Sequence, residues 1–207
     1  LDLLDKENFI DANLAALDKL AALKLDTGIV VGYAGRNPAG KGKALTNSVA
    51  LIHGGRVAAK RAKSLLPTYD IFDEARYFEP AADNRPLRFK GELIGLTICE
   101  DIWAGTDLIP SRLLYRNDPV RTLRAAKASI IINISSSPFY RGKGAKRRAI
   151  LSALAKRLKA HVIYANQTGA NDELIFDGNS FALAPDGRVT ARARSFDEDM
   201  VLIDTSS

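Results

Sequence analysis

The hydrophobic pattern at the start of the chain predicts a helix followed by a strand. Four apolar residues recur at intervals of four, three and four: Ile10, Leu14, Leu17 and Ala21. This spacing places them on one face of an amphipathic helix over about residues 6–24. Residues 28–33 (Gly-Ile-Val-Val-Gly-Tyr) are mostly apolar and β-branched, which is typical of a buried strand.

Three turn sequences further along predict β-hairpins. Each turn contains glycine and lies between two runs of residues that favour strands. The turns are residues 53–56 between 48–51 and 57 onward, residues 90–92 between 87–89 and 93–99, and residues 185–188 between 180–184 and 189–193.

Two helix–strand units lie between the second and third hairpins. Asp118-Pro119 predicts a helix start, because aspartate caps the free amides and proline is tolerated in the first turn; a strand over 129–134 follows. The next helix has apolar residues on one face and most of a basic run on the other, and a strand over 161–165 follows it. The apolar positions of that helix are Ile150, Ala153, Leu154 and Leu158. Hairpins mixed with helix–strand units predict an α/β domain in which helices cover mixed sheets.

The size of the chain indicates one domain over residues 1–207, since 46% hydrophobic residues in 207 supply one sizeable core. No secretory leader is apparent, and no apolar run approaches the roughly 20 residues that cross a bilayer. We therefore expect a soluble, cytoplasmic protein without a membrane partner.

The net charge of +6 is concentrated in a basic run over residues 141–159. Such a run is usually the solvated face of a helix, and no aromatic residues interleave with it, so we expect no nucleic-acid partner. The single cysteine, Cys99, cannot form an internal disulfide. His53 and His161 show no metal-ligand spacing, so no metal site is expected.

Cys99 is the strongest candidate for chemistry. It ends an apolar run, residues 93–99, and the charged pair Glu100-Asp101 follows at once. A lone cysteine on a strand is usually a small buried hydrophobic residue. A nucleophile at the end of a strand, however, can be presented to a pocket by a sharp turn.

The residues around Cys99 resemble a known motif. Residues 98–103 (Ile-Cys-Glu-Asp-Ile-Trp) match the nucleophile motif of the glutaminase domain of glutamine-dependent NAD synthetases, a branch of the carbon-nitrogen hydrolases, or nitrilases. Residues 63–78 (Lys-Ser-Leu-Leu-Pro-Thr-Tyr-Asp-Ile-Phe-Asp-Glu-Ala-Arg-Tyr-Phe) are similar to a second motif of that branch, and residues 137–143, 164–169 and 172–180 are also similar to it. The resemblance runs from about residue 28 to 204 and implies the nitrilase α-β-β-α sandwich.

The resemblance implies a cysteine, glutamate and lysine mechanism. Carried onto this sequence, Cys99 is the nucleophile, Lys63 is the cation that stabilises the oxyanion, and the backbone amide of Glu100 is part of the oxyanion hole. The base glutamate of the family lies before the first long helix, and no residue here matches it, so we expect a domain truncated at its N-terminus and impaired alone. We reject Glu100 as the base because neighbouring residues of a strand point to opposite faces.

The same resemblance assigns substrate binding to Tyr69, Ser137 and Lys143, whose hydroxyl groups and cation suit the ends of a free amino acid. Ser137 could instead make a turn, and Lys143 could be one more surface charge. Glu74 is expected to orient Lys63 or line the pocket, with a surface ion pair to Arg76 as the alternative.

The implied partners are glutamine and a synthetase domain in the same full-length protein, and nitrilases commonly form homo-oligomers. That absent domain would use ATP, deamido-NAD and magnesium, while no cofactor is expected in this one; residues 40–43 lack the spacing of a phosphate-binding loop. Two alternatives remain: a stand-alone nitrilase-type amidase, and a catalytically silent scaffold domain.

Overall fold

The computed structural model of the protein describes residues 2–69, 72–104, 115 and 117–206. These residues cluster into two units, Leu1–Asn84 and Arg85–Ser207. Both units combine helices with β-strands, so the predicted α/β class is confirmed.

The first unit contains an antiparallel sheet with the strand order β1-β2-β3. Its elements are a 3₁₀ helix (Asp2–Asp5), α1 (Glu7–Ala22), β1 (Ile29–Arg36), β2 (Leu45–His53), β3 (Arg56–Ala62) and α2 (Glu74–Tyr77). The hairpin predicted at residues 53–56 is confirmed, with Gly54 and Gly55 at φ 56° and 84°, a conformation that glycine adopts without strain.

Helix α1 packs as its spacing predicts, with Ile10, Leu17 and Ala21 buried. The prediction for β1 needs correction, because this strand continues to Arg36 and is mostly half-buried rather than buried. It is the edge strand of its sheet, whereas β2 lies in the centre and is buried along almost its whole length.

The second unit is built on a six-stranded mixed sheet with the order β11-β10-β7-β6-β5-β4. Its strands and helices are β4 (Leu87–Phe89), β5 (Glu92–Ile98), a 3₁₀ turn (Cys99–Ile102), α3 (Pro119–Ala125), β6 (Ile130–Ser135), α4 (Lys143–Leu158), β7 (His161–Asn166), β8 (Thr168–Asn171), β9 (Leu174–Asp177), β10 (Phe181–Leu183) and β11 (Val189–Arg192). The three central strands, β5, β6 and β7, are parallel, and the outer pairs are antiparallel. The mixed sheet and both of its hairpins are therefore confirmed.

Helix α3 begins as its sequence predicts. The carboxylate of Asp118 accepts a 3.0 Å hydrogen bond from the backbone N–H of Val120, and Pro119 occupies the first turn. The hairpin of β8 and β9 was not predicted, because residues 168–171 are exposed or half-buried and carry no apolar alternation.

Helix α4 corrects the predicted apolar face. Ile150 and Leu154 are buried, but Ala153 is exposed. The buried positions are Lys143, Arg147, Ile150, Leu151, Leu154 and Ala155. They follow helical spacing, so the buried face includes two members of the basic run that we expected to be solvated.

No helix of the described residues is long and apolar enough to span a membrane. Across the same residues, no group of three or more His, Cys, Asp or Glu side chains is arranged to hold a metal ion.

Candidate active site

Cys99 lies at a sharp turn directly after β5. The strand ends at Ile98, and Cys99 begins the 3₁₀ turn with φ 44°. This left-handed conformation costs a non-glycine residue about 1–2 kcal/mol, so the surroundings must hold it. On one side, the N–H of Ile98 donates to Oδ2 of Asp101 at 3.1 Å. The half-buried thiol therefore sits on a strained turn of the kind that presents nucleophiles.

Glu100 lies in the 3₁₀ turn and not in the strand, so the alternation argument that excluded it as the base does not apply. Its side chain is buried, and its Oε1 accepts a 3.0 Å hydrogen bond from the hydroxyl of Tyr115. The carboxylate is thus held by a neighbouring phenol.

The parallel strands bring Cys99 and Ser137 to one edge of the sheet, because both residues follow the carboxyl ends of adjacent strands. Ser137 is 2% exposed, and its backbone N–H donates to Oδ1 of Asn166 at 2.9 Å. Its hydroxyl is buried and has no hydrogen-bond partner among the described residues. Such orphaned polar groups are rare in proteins, and this one is available to a ligand.

Lys143, at the start of α4, is 8% exposed. Burial lowers the pKa of its ammonium, because the charged form loses hydration; a thiolate at Cys99 acts in the opposite direction, and the positive charge of Arg147 lowers the pKa further. Its Nζ lies 5.1 Å from the centre of the Tyr140 ring. Lys143 is thus a buried amine, and a thiolate at Cys99 is close enough to raise its pKa.

The sequence did not reveal a buried polar network centred on Arg147, which lies one helical turn after Lys143 in α4. Arg147 bonds both carboxylate oxygens of Asp177, and its Nη1 donates to the hydroxyl of Tyr164 at 3.4 Å. Burial raises the pKa of Tyr164, against the opposing charge of Arg147, so the phenol keeps its proton and donates to Asn166 at 3.3 Å. The helical spacing of Lys143 and Arg147 with Ile150 was the signal that could have identified it.

Lys63 lies in the first unit, at the end of β3, and is not a solvated surface lysine. It is 1% exposed, and its Nζ donates to Oε1 of Glu74 at 2.6 Å. The other oxygen of Glu74 accepts from Nδ2 of Asn47 at 3.1 Å. Glu74 is therefore ion-paired with Lys63. Among the described residues no ion pair joins Glu74 to Arg76, whose guanidinium lies 5.3 Å from the centre of the Tyr77 ring.

Tyr69 is half-buried in the first unit, edge-on to Phe72 with 5.9 Å between ring centres. The predicted residues therefore form two groups. The first unit holds Lys63, Tyr69 and Glu74, and the second holds Cys99, Glu100, Ser137 and Lys143.

Comparison with known proteins identifies the family of the chain. The carbon-nitrogen hydrolase family profile matches residues 6–206. The chain belongs to the carbon-nitrogen hydrolase family. It is 41% identical over 161 residues to the glutamine-dependent NAD(+) synthetase of Synechocystis, covering 78% of this chain and 29% of that protein.

Solved structures of carbon-nitrogen hydrolases have the same fold. The structure of the glutamine-dependent NAD+ synthetase from Acinetobacter baumannii, in complex with ADP, superimposes with a TM-score of 0.82 at 32% identity, covering 96% of this chain and 35% of that one. A variant of the Nesterenkonia AN1 amidase from the nitrilase superfamily gives a TM-score of 0.72 at 20% identity, covering 93% and 67%. The predicted nitrilase fold is confirmed, and the chain spans about a third of the length of the synthetases that it matches.

Proposed function

We propose that this carbon-nitrogen hydrolase domain is the glutamine-hydrolysing part of a glutamine-dependent NAD synthetase. The observation that carries the proposal is the strained turn at Cys99, with the buried ammonium of Lys143 interacting with it and the orphaned hydroxyl of Ser137 at the same sheet edge. A thiol for attack, a cation for a carboxylate and a free hydroxyl are the groups that hydrolysis of an amino-acid amide requires.

In the proposed reaction, Cys99 gives its proton to a general base and the thiolate attacks the carboxamide carbon of glutamine. The tetrahedral oxyanion is stabilised by the backbone N–H of Glu100 and by the ammonium of Lys63. The C–N bond then breaks and the base returns the proton to the departing ammonia. Water hydrolyses the resulting thioester to glutamate and restores the thiol.

Recognition of the α-carboxylate and α-ammonium of glutamine is assigned to one cation and two hydroxyl groups of the protein. Lys143 binds the carboxylate, and Ser137 and Tyr69 donate or accept hydrogen bonds with the polar groups of the amino acid. Glu74 acts by orienting Lys63, and Glu100 contributes its backbone N–H while Tyr115 holds its side chain.

The ammonia is consumed by a synthetase domain of the full-length protein, which amidates deamido-NAD with ATP and magnesium. The similarity to two NAD synthetases over about a third of their lengths supports this partner. We expect the base glutamate outside the present chain, a homo-oligomeric assembly and a cytoplasmic location, as the family resemblance implies.

Mass spectrometry after treatment with a ketone electrophile that mimics glutamine tests the proposal. We expect one adduct on Cys99, protection by glutamine, and no adduct in the Cys99→Ala variant. Protection by other small amides but not by glutamine would instead indicate a general amidase, and an unlabelled Cys99 would indicate a silent scaffold. Glutamine hydrolysis should also be faster in a version extended at its N-terminus than in this chain.

A further inference from the structure

Asn133 lies in β6, the strand next to β5, whose end carries the candidate nucleophile Cys99. The residue is fully buried in β6, and its side chain makes three hydrogen bonds. Its Nδ2 donates to Oγ1 of Thr97 at 3.0 Å and to the backbone carbonyl of Cys99 at 3.3 Å, and its Oδ1 accepts from the hydroxyl of Ser135 at 2.7 Å. One buried amide therefore connects strand β5, the nucleophile and the end of its own strand, β6.

The chemistry of the partners fixes which end of the amide faces Cys99. The hydroxyl of Thr97 donates its proton to the carbonyl of Ile132 at 3.2 Å, so its oxygen must accept from Asn133. The carbonyl of Cys99 also needs a donor. Both requirements place the NH₂ group of Asn133 toward Thr97 and Cys99.

Holding the carbonyl of Cys99 also sets the direction of the next N–H. The peptide unit between Cys99 and Glu100 is planar, and its C=O and N–H point in opposite directions. A donor that fixes the oxygen therefore aims the N–H of Glu100 the other way. This N–H is the one that the proposed mechanism assigns to the oxyanion.

We propose that Asn133 is a positioning residue for catalysis, which aims the Glu100 N–H by holding the carbonyl of Cys99. The inference rests on the proposed glutaminase function and adds to it a residue that acts on the nucleophile turn from the neighbouring strand. The left-handed conformation of Cys99 is thus held by one hydrogen bond on each side of the residue. Before Cys99, the N–H of Ile98 donates to Asp101, and after its Cα the carbonyl of Cys99 accepts from Asn133.

A purely structural role would predict something different. Strands β5 and β6 are already joined by a parallel ladder, in which Thr97 lies opposite Asn133. If Asn133 served only to link these strands, removing its bond to Thr97 would have the same effect as removing its bond to Cys99.

The test compares Asn133→Leu and Asn133→Ala with Thr97→Val in the full-length protein. Asn133→Leu keeps the size of the side chain and removes the donor, whereas Thr97→Val removes a bond of the same network and leaves the contact with Cys99. We expect both Asn133 variants to lower kcat for glutamine hydrolysis about 100-fold, the typical effect of losing one oxyanion donor, with KM changed less than threefold. Thr97→Val should keep kcat within threefold.

Equal losses of kcat in the Thr97 and Asn133 variants, or a loss confined to KM, would overturn the inference. If Asn133→Leu fails to fold, Asn133→Ala, which removes the same donor without adding a charge, gives the same comparison. Alkylation of Cys99 by iodoacetamide, which needs no oxyanion hole, should proceed at similar rates in all three variants. These results differ from those expected if the proposed glutaminase function itself is wrong. In that case the unmodified enzyme would show neither glutamine hydrolysis nor a glutamine-protected adduct.

Discussion

Lys63 and Glu74 form an ion pair of 2.6 Å in which the side chains are 1% and 13% exposed. Both side chains are largely buried, and their ion pair offsets part of the desolvation cost of the two charges. Asn47 bonds the second oxygen of Glu74, which fixes the carboxylate against the ammonium. Within the first unit, Lys63 is therefore held by Glu74, which is itself held by Asn47.

Removing Glu74 should destabilise the protein strongly. Because Glu74→Ala removes the carboxylate that is ion-paired with the buried ammonium of Lys63, we expect the free energy of unfolding to fall by about 3–5 kcal/mol in urea denaturation. Glu7→Ala breaks an exposed ion pair with Arg36 in the same unit and should cost less than about 1 kcal/mol. Equal costs would contradict the importance of the buried pair.

Replacing Lys63 should reduce the rate of hydrolysis. Lys63→Met removes the proposed oxyanion cation, so we expect kcat for glutamine to fall about 10²–10³-fold in steady-state assays. Lys60→Met, which removes an exposed lysine of β3, is the matched control and should leave kcat unchanged. A Lys63→Met enzyme with normal kcat would show that this lysine has only a structural role.

Ser137→Ala should weaken glutamine binding without changing the stability of the fold. The hydroxyl has no partner among the described residues, so its removal should change the free energy of unfolding by less than about 0.5 kcal/mol. The loss of a hydrogen bond to a charged substrate group should raise KM about 10-fold or more. Ser152→Ala, which removes a 2.8 Å bond to Gly187, should show the reverse, with a stability loss of about 1 kcal/mol and unchanged KM.

The lowered pKa of Lys143 predicts a pH-dependent stability. The ammonium of Lys143 has a lower pKa in the folded protein than in the unfolded chain, so burying the charged form lowers the free energy of unfolding at neutral pH. This free energy rises again as the pH increases toward the ordinary lysine pKa near 10.4, because the lysine is then neutral in both states. In a Cys99→Ala background, Lys143→Met should therefore be more stable than its parent at pH 7, and the difference should shrink at pH 10. The exposed Lys156→Met is the control and should show no such trend in urea denaturation.

The buried pair of Arg147 and Asp177 should show strong coupling. Either single replacement, Arg147→Met or Asp177→Leu, leaves an unpaired buried charge and should cost about 3–5 kcal/mol. The double variant should cost clearly less than the sum, as measured by a double-mutant cycle. Additive costs would show that the two charges do not depend on each other.

The sequence predicted most of the fold because its signals are local. The glycine turn at residues 53–56 and the Asp118 cap each act within a few residues, and both are present in the structure. Cys99 and Lys63 were proposed as catalytic residues from motifs whose residues lie close together in sequence. Local signals of this kind are independent of the distant packing.

The parts that were missed depend on contacts between distant residues. Arg147 and Asp177 are 30 residues apart, and only the fold shows that the arginine is buried. The bond from Asn133 to Cys99 likewise joins residues 34 apart. Charge alone suggested a solvated face for α4, whereas Lys143 and Arg147 point into the unit.

The parallel order of β5, β6 and β7 has a consequence for how this domain can vary. The candidate site residues of the second unit follow the carboxyl ends of these strands, while the loops at the opposite edge, such as the exposed turn at 90–91, carry none of them. Insertions or peptide tags placed at that opposite edge should be tolerated without loss of hydrolysis. The same insertions between Ser135 and Lys143 would displace the proposed substrate-binding groups. We therefore expect engineered and natural insertions to be accepted mainly in the loops at the amino ends of these strands.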